Sequence, residues 1–289
     1  MGVGALVLFN VDPRTYVSPT NAIYAALGLL YYATLDPAPP AAPLALLAWA
    51  SAVVARNLLL TYVIYSAWYH WLYVRRASAK KLQPDWPSNA QLAAEKHRTA
   101  VGAAVGSLGE LACAAVAAAR RPAEVDERAT DDDPWRIGLE VTVGLWLASI
   151  WADYHFFAVH RVMHAWFPPG SRWPDGGRWL YRHVHSVHHK SHNPNPWSGL
   201  SMHPVEHALY FSRAPLYVAL CRGCAVRCHP VVWLACGVRA LLGPAPGHHG
   251  FEDHMGSKFH NLHHRYFECN YGTRPTDGMD WLFGTLRTE

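Results

Sequence analysis

Long apolar runs fill the first half of the chain, and short pieces punctuated by proline and glycine fill the second. Residues 43–65 (PLALLAWASAVVARNLLLTYVIY) and 137–152 (IGLEVTVGLWLASIWA) approach or exceed the roughly 20 apolar residues needed to cross a bilayer. Residues 20–35 and the alanine-rich 99–119 are weaker candidates; 205–221 and 230–243 are shorter and read as buried or re-entrant. The pattern predicts an all-α integral membrane protein with about four transmembrane helices in two hairpins. Residues 1–75 form the first hairpin with its lead-in, and 98–160 form the second around an acidic loop at 122–134. Between them, 76–97 is a polar connector in which Pro84, Asp85, Trp86, Pro87 and Ser88 turn the chain and cap a helix. From residue 161, breakers such as Pro168, Pro169, Gly170, Pro194 and Pro196 predict short helices and tight loops. The chain reads as one domain over 1–289, with 1–152 mainly membrane hairpins and 153–289 a distinct region.

Composition sharpens this picture. Only 16% of the 289 residues are charged while 51% are hydrophobic. Tyr31, Tyr32, Tyr62, Tyr65, Trp68, Tyr69, Trp71 and Tyr73 crowd the ends of the apolar runs, as expected of rings seated at the headgroup level. Arg56, Glu110, Glu140 and Asp153 fall within or beside spans and are expected to face a bundle interior or a polar cavity. Arg75, Arg76, Lys80 and Lys81 follow the second span, and Lys190, Arg265 and Arg287 lie in the later region. This places both on the cytoplasmic side, with the termini on the same face. Arg120 and Arg121 weigh the other way, but acidic residues from Glu124 to Asp133 follow them. Residues 1–20 lack a basic lead, so no cleavable signal peptide is expected. A net charge of +4 without a basic stripe gives no case for nucleic acid.

Chemistry concentrates in the histidines. Of nineteen, seventeen lie between Tyr154 and His264. His160 and His164 read H-R-V-M-H; His185, His188 and His189 read H-S-V-H-H; His203 and His207 read H-P-V-E-H; His260, His263 and His264 read H-N-L-H-H. Residues three and four apart share a helix face, so each cluster offers a compact patch of imidazoles. The pair at 160 and 164 alone is a weak signal. The H-x-x-H-H triad is stronger, and its second copy is decisive. Eight imidazoles exceed what one zinc ion can use, so two metals are expected. The cysteines, by contrast, show no disulfide framework. Cys221, Cys224, Cys228 and His229 have one zinc-like spacing but lack the second pair.

All-nitrogen donors suit Zn, Cu, Fe or Ni, whereas carboxylate-rich sites suit Mg, Ca or Mn. The H-E-x-x-H of zinc hydrolases and the E-x-x-H of soluble di-iron bundles are both missing from the sequence. Neutral ligands leave the metals' charge uncompensated, which favours the reduced state until an oxidant such as dioxygen arrives.

The clusters H-R-V-M-H, H-S-V-H-H and H-N-L-H-H, with the tail H-H-R-Y-F-E-C-N-Y-G and M-D-W-L-F-G-T (His263 to Gly272, Met279 to Thr285), resemble the fatty acid hydroxylase and sterol desaturase superfamily of integral membrane enzymes. The match covers about residues 140–289. The resemblance implies a non-haem di-iron centre at the cytosolic membrane face, of the endoplasmic reticulum or a bacterial inner membrane. There, two Fe ions, which Zn can replace in a preparation, hydroxylate or desaturate a lipid: a sterol or a fatty acyl or sphingoid chain. It further implies O2 as oxidant and electrons from NAD(P)H through a cytochrome b5-type or ferredoxin-type carrier. Carried over by position, His160, His164, His185, His188, His189, His260, His263 and His264 are ligands. In G-H-H-G (Gly247 to Gly250), His248 is the further ligand, with His249 and His254 as alternatives. His203, before Pro204, is expected beside the ligands or on the substrate side, and His155, His183, His192 and His207 as extra ligands or partners of the ligands, while His70, His97 and His229 are unrelated. Of the carboxylates available to orient ligating imidazoles (Asp153, Glu206, Glu252, Asp253, Asp280), Asp280 is the preferred one. Two other classes compete: a membrane metal-binding or transport protein, and a metal-dependent membrane hydrolase.

Overall fold

The computed structural model describes residues 18–119, 133–252, 257–273 and 276–289. Among the described residues every regular element is helical. The chain runs through α1 (Pro19–Thr34), α2 (Pro43–Tyr69), α3 (Asn89–Ala118), α4 (Pro134–Val162), α5 (Gly176–Leu180), α6 (Pro204–Phe211), α7 (Arg213–Gly223), α8 (Pro230–Leu242), α9 (Ser257–Tyr266) and α10 (Asp277–Leu282). Local chemistry explains the starts. Ser18 and Ser88 cap α1 and α3 by accepting from the amides of Asn21 and Gln91, and proline stands in the first turn of α1, α2, α4, α6 and α8.

Among the described residues, two helices are long and apolar enough to cross a membrane: α2 with its π-helical extension, Pro43–Val74, and α3, Asn89–Ala118. Only 17% and 28% of their most apolar windows are buried inside the protein. The helices of a soluble core would bury that surface, so these present it outward; Leu44, Leu59 and Leu108 are more than half exposed. The other two expected spans differ. α1 has 16 residues, and α4 has 29 but carries Arg136, Glu140 and Asp153. α8, whose sequence is too short to span, is instead the buried centre of the molecule, packed on α1, α3 and α4. Gly28 permits the closest of these crossings: a Cβ there would sit 2.8 Å from the backbone nitrogen of Ala235.

Charges in these helices are paired. Arg56 on α2 meets Glu110 on α3, with Asn57 bonding both Glu110 and Ser107; Glu140 takes two bonds from Arg227; and Asp153 pairs with Arg239 at 2.7 Å. The aromatic belt is a partial correction. Trp71 and Tyr32 are exposed, but Tyr65 and Tyr73 are buried. Tyr65 donates to the Leu241 carbonyl, Tyr73 to those of Pro194 and His249, and Trp68 stacks on His249. These rings join the long helices to the histidine-rich region because buried hydroxyls need acceptors, which its loops supply.

A second tie is Glu95, on the polar first turns of α3, only 1% exposed. Its carboxylate accepts from Gln91, Ser191, Asn195 and Ser198 at 2.6–2.9 Å, which fixes the 191–198 loop immediately after the second histidine cluster. The expected acidic loop falls largely on residues 120–132, outside the described residues. Because hydrogen bonds to a charged acceptor contribute about 1.5–3 kcal/mol each, Glu95→Gln, which turns one acceptor oxygen into a donor, is expected to lower stability by about 1–3 kcal/mol. Thermal unfolding in detergent checks this, and an unchanged midpoint would contradict the role given to Glu95.

Candidate metal centre

Four short stretches deliver the histidines. His160 ends α4 and His164 follows in the turn beyond it. α5 passes into a π-helical turn, Tyr181–His185, and then Ser186–His189, which together carry the second cluster. Such wide turns recur at functional sites because they shift side-chain register. His248 follows a turn at Pro244–Gly247, and α9 carries the third cluster.

The nine rings meet in two groups. His160, His164, His185, His189 and His263 form one; His188, His248, His260 and His264 form the other. Within each group the candidate donor atoms lie within 4.8 Å of one another, and every ring is buried. Nitrogen ligands about 2.1 Å from a metal lie at most about 4.2 Å apart, so the donors gather on nearly the scale of one coordination sphere, and an ion at each centre would draw the widest pairs in by about half an ångström. Each H-x-x-H-H triad is divided between the groups. His185 and His189 go to the first and His188 to the second, whereas His260 and His264 go to the second and His263 to the first. The two groups adjoin, since His188 and His189 are neighbours in sequence with ring centroids 5.9 Å apart.

Backbone carbonyls determine which nitrogen points inward. Nδ1 of His160 donates to the Tyr271 carbonyl, Nδ1 of His263 to Cys269 and Nδ1 of His248 to Pro244, at 2.7–2.8 Å. With the proton held on Nδ1, Nε2 of a neutral ring is a bare acceptor. Yet Nε2 of His160 and Nε2 of His263 are 3.0 Å apart. Two lone pairs at that distance repel, and a cation between the rings converts the contact into coordination. Further inward nitrogens, Nε2 of His164, His260 and His264, are buried without a hydrogen-bond partner. The donor set therefore fits two cations that accept nitrogen ligands, the class comprising Zn, Cu, Fe and Ni.

Burial, reinforced by neighbouring imidazoles, pushes the pKa values of His160, His185, His188, His189, His260, His263 and His264 well below the ordinary range. Burial takes His248 down to about 4. All are neutral at pH 7, as ligation requires.

The carboxylates sort differently from expectation. Of the expected carboxylates that are among the described residues, Glu206 meets an imidazole, 2.7 Å from Nδ1 of His185, with both groups fully buried. Asp280 touches no imidazole. It accepts from the amides of Tyr271 and Gly272 and from Thr285, and so holds the loop whose Tyr271 carbonyl orients His160. Asn270, at φ 53°, clasps the same loop to the carbonyls of Phe259 and Arg287. The N-Y-G and L-F-G-T motifs thus form one brace. Sequence reading missed Glu268, 3.5 Å from His164 and bonded to Tyr271; its place one residue before Cys269, within the closing tail, is the signal that could have found it.

The remaining candidates stand apart. His249 stacks on Trp68 and its Nδ1 accepts from the Phe251 amide. His203 caps α6, and His207 is buried against Gly102, outside both groups. His155 bonds Ser212, while His183 and His192 are exposed. His254 and Asp253 lie outside the described residues. Among the described residues, Cys221, Cys224, Cys228 and His229 form no third metal-capable group. A cavity of about 410 Å³ is lined by His160, His188, His248 and His260 together with apolar residues that include Phe156, Leu200 and Phe211.

Residues 145–285 match the sequence profile of the fatty acid hydroxylase family. A Delta(7)-sterol-C5(6)-desaturase of Nicotiana tabacum is 36% identical over 115 residues, 37% of this chain and 40% of that protein. A very-long-chain aldehyde decarbonylase of Oryza sativa subsp. indica is 30% identical over 145 residues, 46% and 48% of the two chains. Methylsterol monooxygenase 2-2 of Arabidopsis thaliana is 27% identical over 158 residues, 50% and 53%. The chain spans about half or less of the length of these relatives. No solved structure matches it. The similarity to the fatty acid hydroxylase and sterol desaturase superfamily thus lies in the histidine-rich half of the chain.

Acid should unfold the metal-free chain. Unfolded histidine titrates near pH 6.5, whereas these rings titrate well below it when folded. Stability is therefore complete above pH 6.5 and declines as pH falls toward 4, because the unfolded chain takes up protons that the folded one refuses. Each imidazole kept neutral contributes about 1.4 kcal/mol per pH unit. Denaturant midpoints of metal-free protein at pH 7.5 and pH 5 check this, with the lower midpoint expected at pH 5.

Proposed function

We propose that the protein is a membrane-bound non-haem di-iron oxygenase that hydroxylates or desaturates a lipid with dioxygen. Electrons come from NAD(P)H through a separate cytochrome b5-type or ferredoxin-type carrier. One observation carries the reading: a cavity with an apolar side reaches imidazoles of both histidine groups, so a hydrocarbon can lie directly against the place where two metals fit. The similarity to a sterol desaturase, a methylsterol monooxygenase and an aldehyde decarbonylase supports it.

In this reading the nine histidines of the two groups would be the ligands, the group of five holding one iron and the group of four the other. When bound, the iron pair supplies reduction of dioxygen and the oxidising power to take hydrogen from an unactivated C–H. The chain supplies the rest. Tyr271, Cys269 and Pro244 carbonyls keep Nε2 of His160, His263 and His248 aimed inward, and Glu206 orients His185. Phe156, Leu200 and Phe211 exclude water and seat the hydrocarbon, and His207 faces the same cavity from the substrate side. We place α1 to α4 as the membrane hairpins of a single domain. The histidine region then caps them on the cytosolic face, beside the basic residues after α2.

Exchange of His188 or His264 for Ala removes one of the four rings of the second group and is expected to reduce turnover at least a hundredfold. Lipid mass spectrometry and reductant-driven oxygen uptake, with and without the chain, provide the check. Lipids gaining one oxygen or losing two hydrogens, together with oxygen consumption, are the expected result; full turnover by a metal-depleted His188→Ala/His264→Ala protein would refute it. A transporter or a hydrolase would consume no oxygen.

A further inference from the structure

The cavity that reaches the histidine groups is also lined by Asp153, Arg213 and Arg239. Only one carboxylate stands among these two guanidinium groups. Asp153 is committed to Arg239 at 2.7 Å and accepts from Thr273 at 3.3 Å. Arg213 is 9% exposed, has no carboxylate within ion-pairing distance among the described residues, and its Nε has no hydrogen-bond partner. Its Nη2 makes a long contact of 3.4 Å to the Cys236 carbonyl. Burying a guanidinium without a counter-charge costs several kcal/mol. Arginine's planar fork is suited to a two-oxygen anion.

A second cavity of about 420 Å³ shares Ser18, Asn21, Tyr24 and Arg239 with the first. Its wall is otherwise mainly apolar, with Val143, Leu145, Trp146 and Val232, and it lies between α1, α4 and α8. A charged group is thus set beside apolar room, within the space that also touches the metal-holding rings.

We propose that Arg213, supported by the Arg239–Asp153 pair, binds the carboxylate of an amphipathic lipid whose hydrocarbon fills the adjoining apolar space. The inference rests on the oxygenase reading for its consequence, the choice of substrate, but its recognition chemistry stands on the cavity alone. A hydroxyl would offer one hydrogen bond and leave the net positive charge in place, whereas a carboxylate neutralises it. Magnitude favours the anion.

Equilibrium binding of radiolabelled oleate and of oleyl alcohol to the purified full-length protein tests this. Wild type is expected to bind oleate at least tenfold more tightly than the alcohol; Arg213→Gln should erase that preference, and Arg213→Lys should retain most of it. Thermal unfolding of each variant reports whether it is folded, and if Arg213→Gln is not, the wild-type ratio and Arg213→Lys decide. Equal binding of the two probes, tighter binding of the alcohol, or an unaltered preference in folded Arg213→Gln would overturn the proposal. Metal content is measured on the same samples. Oleate preference without metal would sink the oxygenase reading and leave this one standing, while bound metal and turnover without the preference would sink this one alone.

Discussion

Nine imidazoles stay together in a dry interior only if something fixes where each ring keeps its proton. For three of the nine that task falls to the backbone, and for His185 to Glu206. Carbonyls of Tyr271, Cys269 and Pro244 take the Nδ1 protons of His160, His263 and His248, which turns the opposite nitrogens inward as unprotonated acceptors. The resulting contact between His160 and His263 is unfavourable for the protein alone and favourable around a cation. The arrangement therefore suits a bound cation, and the low basicity of the buried rings follows from the same burial.

Much of the remaining structure serves to place those carbonyls. Asp280 and Asn270 brace the loop that presents Tyr271, and Glu95 anchors the segment leaving the second cluster to a long helix of the first half. Tyr65 and Tyr73 reach from the other long helix to the same region. Precise ligand geometry is thus borrowed from rigid elements, while the apolar outer surfaces of α2 and α3 remain free to face lipid.

Whereas His160 and His164 gave a weak signal alone and His248 followed only from the family resemblance, six of the nine gathered rings were legible in the sequence because triads at i, i+3 and i+4 have few packing explanations. Their partition was not. In each triad the i and i+4 rings join one group and the middle ring joins the other, a choice set by helix orientation, which spacing does not encode. Glu206 and Asp280 were both visible as carboxylates, but only tertiary contact makes Glu206 the direct partner of His185. The rings of Tyr65 and Tyr73 carried the composition of a headgroup belt, and buried acceptors claimed them instead. The short apolar run at 230–243 was correctly too short to span, and it became the packed centre on which α1 sits at Gly28.

The two histidine groups offer two separate metal positions within one cluster of neutral rings. Elemental mass spectrometry of purified, folded protein from iron-supplemented cells measures this most directly. The account predicts two metal ions per chain, one for each histidine group. A folded protein that binds none, or saturates at one, would contradict it.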